Sequence, residues 1–151
     1  MIKWLQLVAI LCLAVAMAGG WAHLLELPNK MTLSREDYLT VQQIYRGWAL
    51  LGIPIFAALL ATTALAVLQR GQGAPFYFAL AAALSIGLSL IVFFSITYPA
   101  NQATENWTVL PAAGWEALRR RWEYSHAVGA LLYFIALTSL VLSLLSVRRS
   151  G

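Results

Sequence analysis

The stretch FYFALAAALSIGLSLIVFFSITY, residues 76–98, runs 23 positions without a single Lys, Arg, Asp or Glu. As a helix rising ~1.5 Å per residue it reaches ~34 Å, enough to cross a hydrocarbon core of ~30 Å. In lipid each backbone N–H and C=O must be satisfied within the segment, which a helix does and an open strand does not. The alternating polar and apolar pattern of a membrane barrel strand is absent. Working outward, three more stretches read the same way: Trp4–Ala22, Gly47–Leu68 and Ala127–Val147, all free of charged residues.

The whole chain is consistent with these four spans. Of its 151 residues 61% are hydrophobic and 11% charged, and the mean hydropathy is +0.74, whereas soluble domains carry about 25% charged residues. A single small domain cannot bury this much apolar surface internally, so lipid must cover the remainder. The expectation is all-α: one domain over residues 1–151, a four-helix transmembrane bundle with short interfacial helices on the side away from the termini. The first span imitates a secretory leader, with Lys3 before it and Ala16-Met17-Ala18 near its end. Its apolar run exceeds the usual ~7–15 residues, so it is expected to be retained. The lone Cys12 excludes an internal disulfide.

Gly71-Gln72-Gly73-Ala74-Pro75 reads as a turn, with Pro75 opening the third helix. Pro99 is expected to close that helix, and Pro54 to kink the second. Ser34 with Asp37 three positions on predicts a capped helix from Arg35 toward the second span. Gly114 to Ser125 contains no helix breaker and is expected to run without interruption into the fourth span.

Charge is unevenly divided. Lys3, Arg70, Arg148 and Arg149 lie at the terminal end, and all six acids lie at the other end. The positive-inside rule then predicts cytoplasmic termini in a bacterial inner membrane. No basic face with interleaved aromatics appears, so a nucleic-acid function is excluded.

The chain's two histidines, His23 and His126, both fall at the acid-bearing end, where the first span finishes and the fourth begins. Each has a carboxylate three residues away, Glu26 and Glu123, hence on its own helical face. Tyr45, Arg46, Tyr98 and Asn101 arrive at the same depth from the other two spans. Arg119 stands four residues before Glu123 and predicts an ion pair with it. Arg119 to Arg121 suggest contact with lipid headgroups. Trp21 and Trp48 suggest an interfacial belt. Trp115, Arg119, Trp122 and His126 follow 4-3-4 spacing, a stripe suited to an aromatic ligand. Small residues such as Ser85, Gly87 and Ser89, and the run of alanines Ala79, Ala81, Ala82 and Ala83, permit close helix contact, within the chain or in a homo-oligomer.

Tyr98-Pro99-Ala100-Asn101, Trp115-Glu116-Ala117-Leu118-Arg119 and Arg121-Trp122-Glu123-Tyr124-Ser125-His126 together resemble the C-terminal signature of the anthrone oxygenase-like family, small four-span membrane proteins of bacteria and fungi. The resemblance covers about the last third of the chain and, loosely, the first span. Gly129 stands where the family often has Arg. The resemblance implies oxygenation of an activated methylene in a polycyclic phenol, giving a quinone.

Three functions fit these residues. The first is a membrane oxidoreductase acting on a small hydrophobic substrate lined by Trp115, Arg119, Trp122, Tyr45 and Tyr98. In one version His23, Glu26, Glu123 and His126 hold a single transition-metal ion, iron or copper foremost. In a cofactor-free version His126 or His23 is a base oriented by Glu123 or Glu26, and Asn101 or Arg46 stabilises an oxyanion. The second is a haem protein with His23 and His126 as axial ligands. The third is a non-catalytic subunit whose polar rim meets a membrane-protein partner.

Overall fold

The computed structural model describes residues 2–111 and 113–147. Arg148 and Arg149, part of the basic terminal end, lie outside them. The described residues form helices joined by turns: α1 (Ile2–Lys30), α2 (Arg35–Gln42), α3 (Gly52–Leu68), α4 (Ala74–Val92), α5 (Tyr98–Ala103) and α6 (Trp115–Leu145). Four helical runs are long and apolar enough to cross a membrane: Ile2–Lys30, Trp48–Leu68, Ala74–Ala103 and Trp115–Leu145. They form an all-α, multi-pass four-helix bundle. Its centre is built from small side chains and a few large ones: Ala9 and Leu13 of α1, Ala58 and Leu65 of α3, Ala82 and Ile86 of α4, Ala136 and Leu140 of α6. Leucines such as Leu60, Leu84 and Leu145 face outward and stay exposed, as lipid-facing positions should.

Local chemistry explains the boundaries. Ser34 caps α2, its Oγ accepting from the Asp37 N–H at 3.1 Å. α6 starts after Gly114, whose φ of +80° suits glycine, and continues unbroken to Leu145. The approach to the second span is broken, however. After α2 come two 3-10 turns separated by Gly47 at φ +91°, so Arg35 and the second span do not share one helix. Pro54 sits in the first turn of α3, where its missing N–H is an orphan anyway. It therefore produces no mid-helix kink.

Two further prolines lie inside helices, and Pro99 was expected to end one. Pro28 lies inside α1, which continues to Lys30. Pro99 does not end the third span. A π-helical turn at Phe93–Thr97, with the Tyr98 N–H reaching the Phe93 carbonyl, leads directly into α5. Widening the turn moves the preceding carbonyls away from the proline ring, so the helix passes through. The wide turn also aims Thr97 at α6, where its Oγ1 meets Ser125 Oγ at 2.7 Å.

α1 and α6 approach each other closely at Gly20. A Cβ placed on Gly20 would come within 3.1 Å of the Ala130 Cα. At Gly87 a Cβ would meet nothing within 4 Å, so that glycine makes no tight contact.

Candidate functional site

At the end of the bundle away from the termini, α1 presents His23, Glu26 and Lys30 at positions i, i+3 and i+7, one face of the helix. α6 presents Glu123 and His126 opposite. The Lys30 ammonium is the centre of the assembly. Its Nζ lies 3.0 Å from Glu123 Oε2 and 3.5 Å from Glu26 Oε2. It donates to the Tyr45 hydroxyl at 3.1 Å and sits 3.3 Å from His23 Nδ1. An ammonium has no lone pair, so His23 Nδ1 is the acceptor and the imidazole proton resides on Nε2. Tyr45 in turn donates to Glu26. From α2, Tyr38 donates to Glu123 Oε1 at 3.0 Å, and Gln42 Nε2 approaches the same oxygen at 3.5 Å.

Aromatic rings wall this cluster. His23 and His126 stack with centroids 4.2 Å apart and planes 27° from parallel. Trp122 sets its edge against both, at 4.9 and 4.3 Å. Tyr45 and Trp48 close on His23 at 4.4 and 5.3 Å. The Lys30 nitrogen lies 4.9 Å from the Tyr45 ring centroid and 5.1 Å from that of Trp122, within cation–π range.

The side chain of Lys30 is 3% exposed, that of Glu123 0%, and that of Glu26 40%. Glu26 is thus the wet rim of the site and Glu123 its dry floor. Withdrawing a Lys–Glu pair from water is expensive, and the pair holds only if its remaining hydrogen-bonding capacity is filled. Tyr38 and Gln42 on Glu123 Oε1, and Tyr45 and His23 on Lys30, supply part of it, while Glu123 Oε2 has the Lys30 ammonium beside it and Gln42 Oε1 is left without a hydrogen bond. Burial first, and the nearby Glu123 carboxylate second, push the Tyr38 hydroxyl well above its ordinary pKa. Burial and the hydrogen bond to Glu26 do the same to Tyr45. Both phenols therefore remain neutral donors.

Of the residues singled out from sequence, His23, Glu26, Tyr45, Trp122, Glu123 and His126 come together. The others do not. Arg46 is exposed and donates to Gln43 Oε1 at 2.8 Å. Tyr98 is exposed and packs near Phe93 and Phe94. Asn101 Oδ1 accepts from the indole N–H groups of both Trp107 and Trp122, at 3.1 and 2.7 Å, which fixes Trp122 and places Asn101 behind that indole. Arg119 forms no ion pair with Glu123. Its Nη1 donates instead to the Leu33 carbonyl at 3.0 Å and the Lys30 carbonyl at 3.4 Å, capping the C-terminal end of α1, while its guanidinium lies 4.5 Å from the Trp115 ring. The stripe through Trp115, Arg119 and Trp122 is covered by the chain itself: Trp107 packs on Tyr38 at 5.2 Å and on Trp122 at 5.6 Å. Trp107 is held there by three successive left-handed residues, Glu105, Asn106 and Trp107.

Lys30, Tyr38 and Gln42 are members that the sequence reading passed over, and Trp48, read there as part of an interfacial belt, packs on His23. Lys30 was legible in principle, because Glu26 and Lys30 stand at i and i+4. Taking the first helix to end at His23 left Lys30 in the following connection and hid it.

Lys30 also bears on cofactors. Among the described residues, no group of three or more His, Cys, Asp or Glu side chains is arranged to hold a metal ion. The point between Glu26, Glu123 and His23 is filled by the Lys30 ammonium, so this arrangement does not fit a transition metal. Nor do two imidazoles stacked at 4.2 Å leave room for a porphyrin between them. Comparison with protein-family models, with curated proteins and with solved structures returned no match.

Proposed function

We propose that this chain is a membrane oxidoreductase of the anthrone oxygenase-like type, working by acid–base chemistry on a small hydrophobic phenol. One observation carries the reading: a buried ammonium held by two carboxylates stands directly behind a histidine pair whose outer member, His126, is half-buried. His126 is the base that takes a proton from the activated methylene. Lys30 is the fixed positive charge that favours the resulting anion, in the role the sequence reading gave to Asn101 or Arg46. His23, its tautomer set by Lys30, offers its Nε2–H to the developing oxyanion. Dioxygen is the oxidant. The carbanion's electrons pass to it, one oxygen atom becomes the new carbonyl and the other leaves as water, so that CH2 and O2 give C=O and H2O. We place the termini in the cytoplasm of a bacterial inner membrane and the site at its outer edge, following the basic terminal end.

The test is oxygen uptake and quinone absorbance by the purified protein in lipid nanodiscs, with anthrone and related phenols. His126→Ala is expected to lower turnover at least 100-fold, the upper end of the ~10²–10⁴-fold span of a general base being larger still, while its melting temperature stays near that of the wild type. A second reading, a non-catalytic subunit, draws on the same network. Bonds from α1, α2 and Tyr45 to Glu123 and Glu26 lock helix register without any substrate. Under that reading no phenol is turned over, His126→Ala lowers only stability, and a partner protein or second copy co-purifies.

A further inference from the structure

A groove of about 450 Å³ runs along the outer face of α3 and α4 at the terminal end of the bundle, far from the histidines. Ala66 and Ala83, both buried, form its floor. Leu59, Val67, Phe76, Leu80 and Leu84 form its walls, and Arg70 stands at its mouth. From Arg70 to Leu59 along α3 is ~16 Å, close to the ~15 Å depth of one leaflet's hydrocarbon. The groove is thus as long as one acyl chain is deep, and it ends at a cation.

We infer that this groove binds an anionic phospholipid, one acyl chain lying along Ala66 and Ala83 and the phosphodiester paired with Arg70. Two features of the groove select this occupant. The first is charge complementarity: Arg70 is exposed at the groove mouth, and the sequence places no acid at this end of the bundle to neutralise it. The second is shape. Alanines at the floor leave a channel one chain wide, where larger side chains would have made a smooth wall. A guanidinium matches a phosphodiester in bidentate geometry, and basic pockets between membrane helices are known sites for anionic headgroups. This binding is independent of the proposed chemistry at His126.

The experiment uses the full chain in detergent, stripped of lipid and supplied with phosphatidylglycerol, phosphatidylcholine of the same chain length, or inorganic phosphate. Native mass spectrometry counts bound lipid, and a thermal shift measures stabilisation. The expected result is that phosphatidylglycerol binds about fivefold more tightly than phosphatidylcholine, the preference one basic residue near a membrane surface confers. Arg70→Gln should abolish that preference. Thr63→Phe, at an exposed position lining the groove, should weaken both lipids by filling the channel. Equal binding of the two lipids by the wild type, an unchanged preference in Arg70→Gln, or equal stabilisation by inorganic phosphate would each overturn the proposal.

Discussion

Replacing Lys30 by Met keeps most of the side-chain volume and removes the charge at the centre of the cluster. What remains is Glu123, fully buried, with Tyr38 and Gln42 as its polar partners among the described residues. Breaking a buried pair by deleting one ion costs about 3–5 kcal/mol, mostly because the surviving charge stays uncompensated. Glu123→Gln is milder. Lys30 keeps Glu26 at 3.5 Å and the Tyr45 hydroxyl at 3.1 Å, and the amide oxygen still accepts from Tyr38, so about 1–3 kcal/mol is expected. Glu26→Gln should be milder again, since its side chain is 40% exposed and water screens it. The double variant Lys30→Met/Glu123→Gln removes both charges and should return to within about 2 kcal/mol of the wild type, as charge-free replacements of buried pairs do. Unfolding by dodecyl sulfate in mixed micelles, followed by circular dichroism, gives all four values. The order Lys30→Met, Glu123→Gln, Glu26→Gln, with strong coupling in the double variant, is the signature of a buried pair. A Lys30→Met penalty below about 1 kcal/mol, or single effects that simply add, would refute it.

Tyr38→Phe removes a donor to Glu123 and should cost about 1–3 kcal/mol at neutral pH. The folded-state pKa of Tyr38 is raised above 10.0, so its contribution is complete below pH 10.0 and is lost as the pH climbs through the raised value. The variant should therefore lose less stability between neutral pH and pH 11 than the wild type does, measured as melting temperature against pH. Gly20→Val should push α1 from α6, because its Cβ would already lie 3.1 Å from the Ala130 backbone. Gly87→Ala, with nothing within 4 Å, should be neutral or stabilising by up to about 1 kcal/mol, and melting curves of the pair separate the two glycines.

The spans were legible because lipid imposes one rule over twenty residues at a time, and a charge-free run such as residues 76–98 satisfies it unaided. The meeting of His23 with His126 was legible too, since both stand at helix ends whose depth the topology sets. Proline was the point of failure. Pro28 and Pro99 lie inside helices that continue through them, and whether a helix survives a proline is decided by what the widened or freed backbone packs against, which is tertiary information. Ending the first helix at His23, whereas α1 runs seven residues further, lost Lys30. The other errors concern direction: depth placed Arg46, Tyr98 and Asn101 level with the site, yet only helix rotation decides which way a side chain at that depth points. Tyr38 was invisible for a related reason. Its partner, Glu123, lies 85 positions away, and no local spacing records that.

The Lys30–Glu123 pair also has a history within each molecule. Lys30 leaves the ribosome roughly 90 residues ahead of Glu123, and at ~5–20 residues per second that interval lasts ~5–20 s. During it the second and third spans are made while the ammonium still lacks its buried counter-ion, with Glu26 alone beside it. A chain truncated before the fourth helix never leaves that condition. Its Lys30 keeps only the partly exposed Glu26 as carboxylate partner, and in the full chain the arrival of Glu123 completes the buried pair.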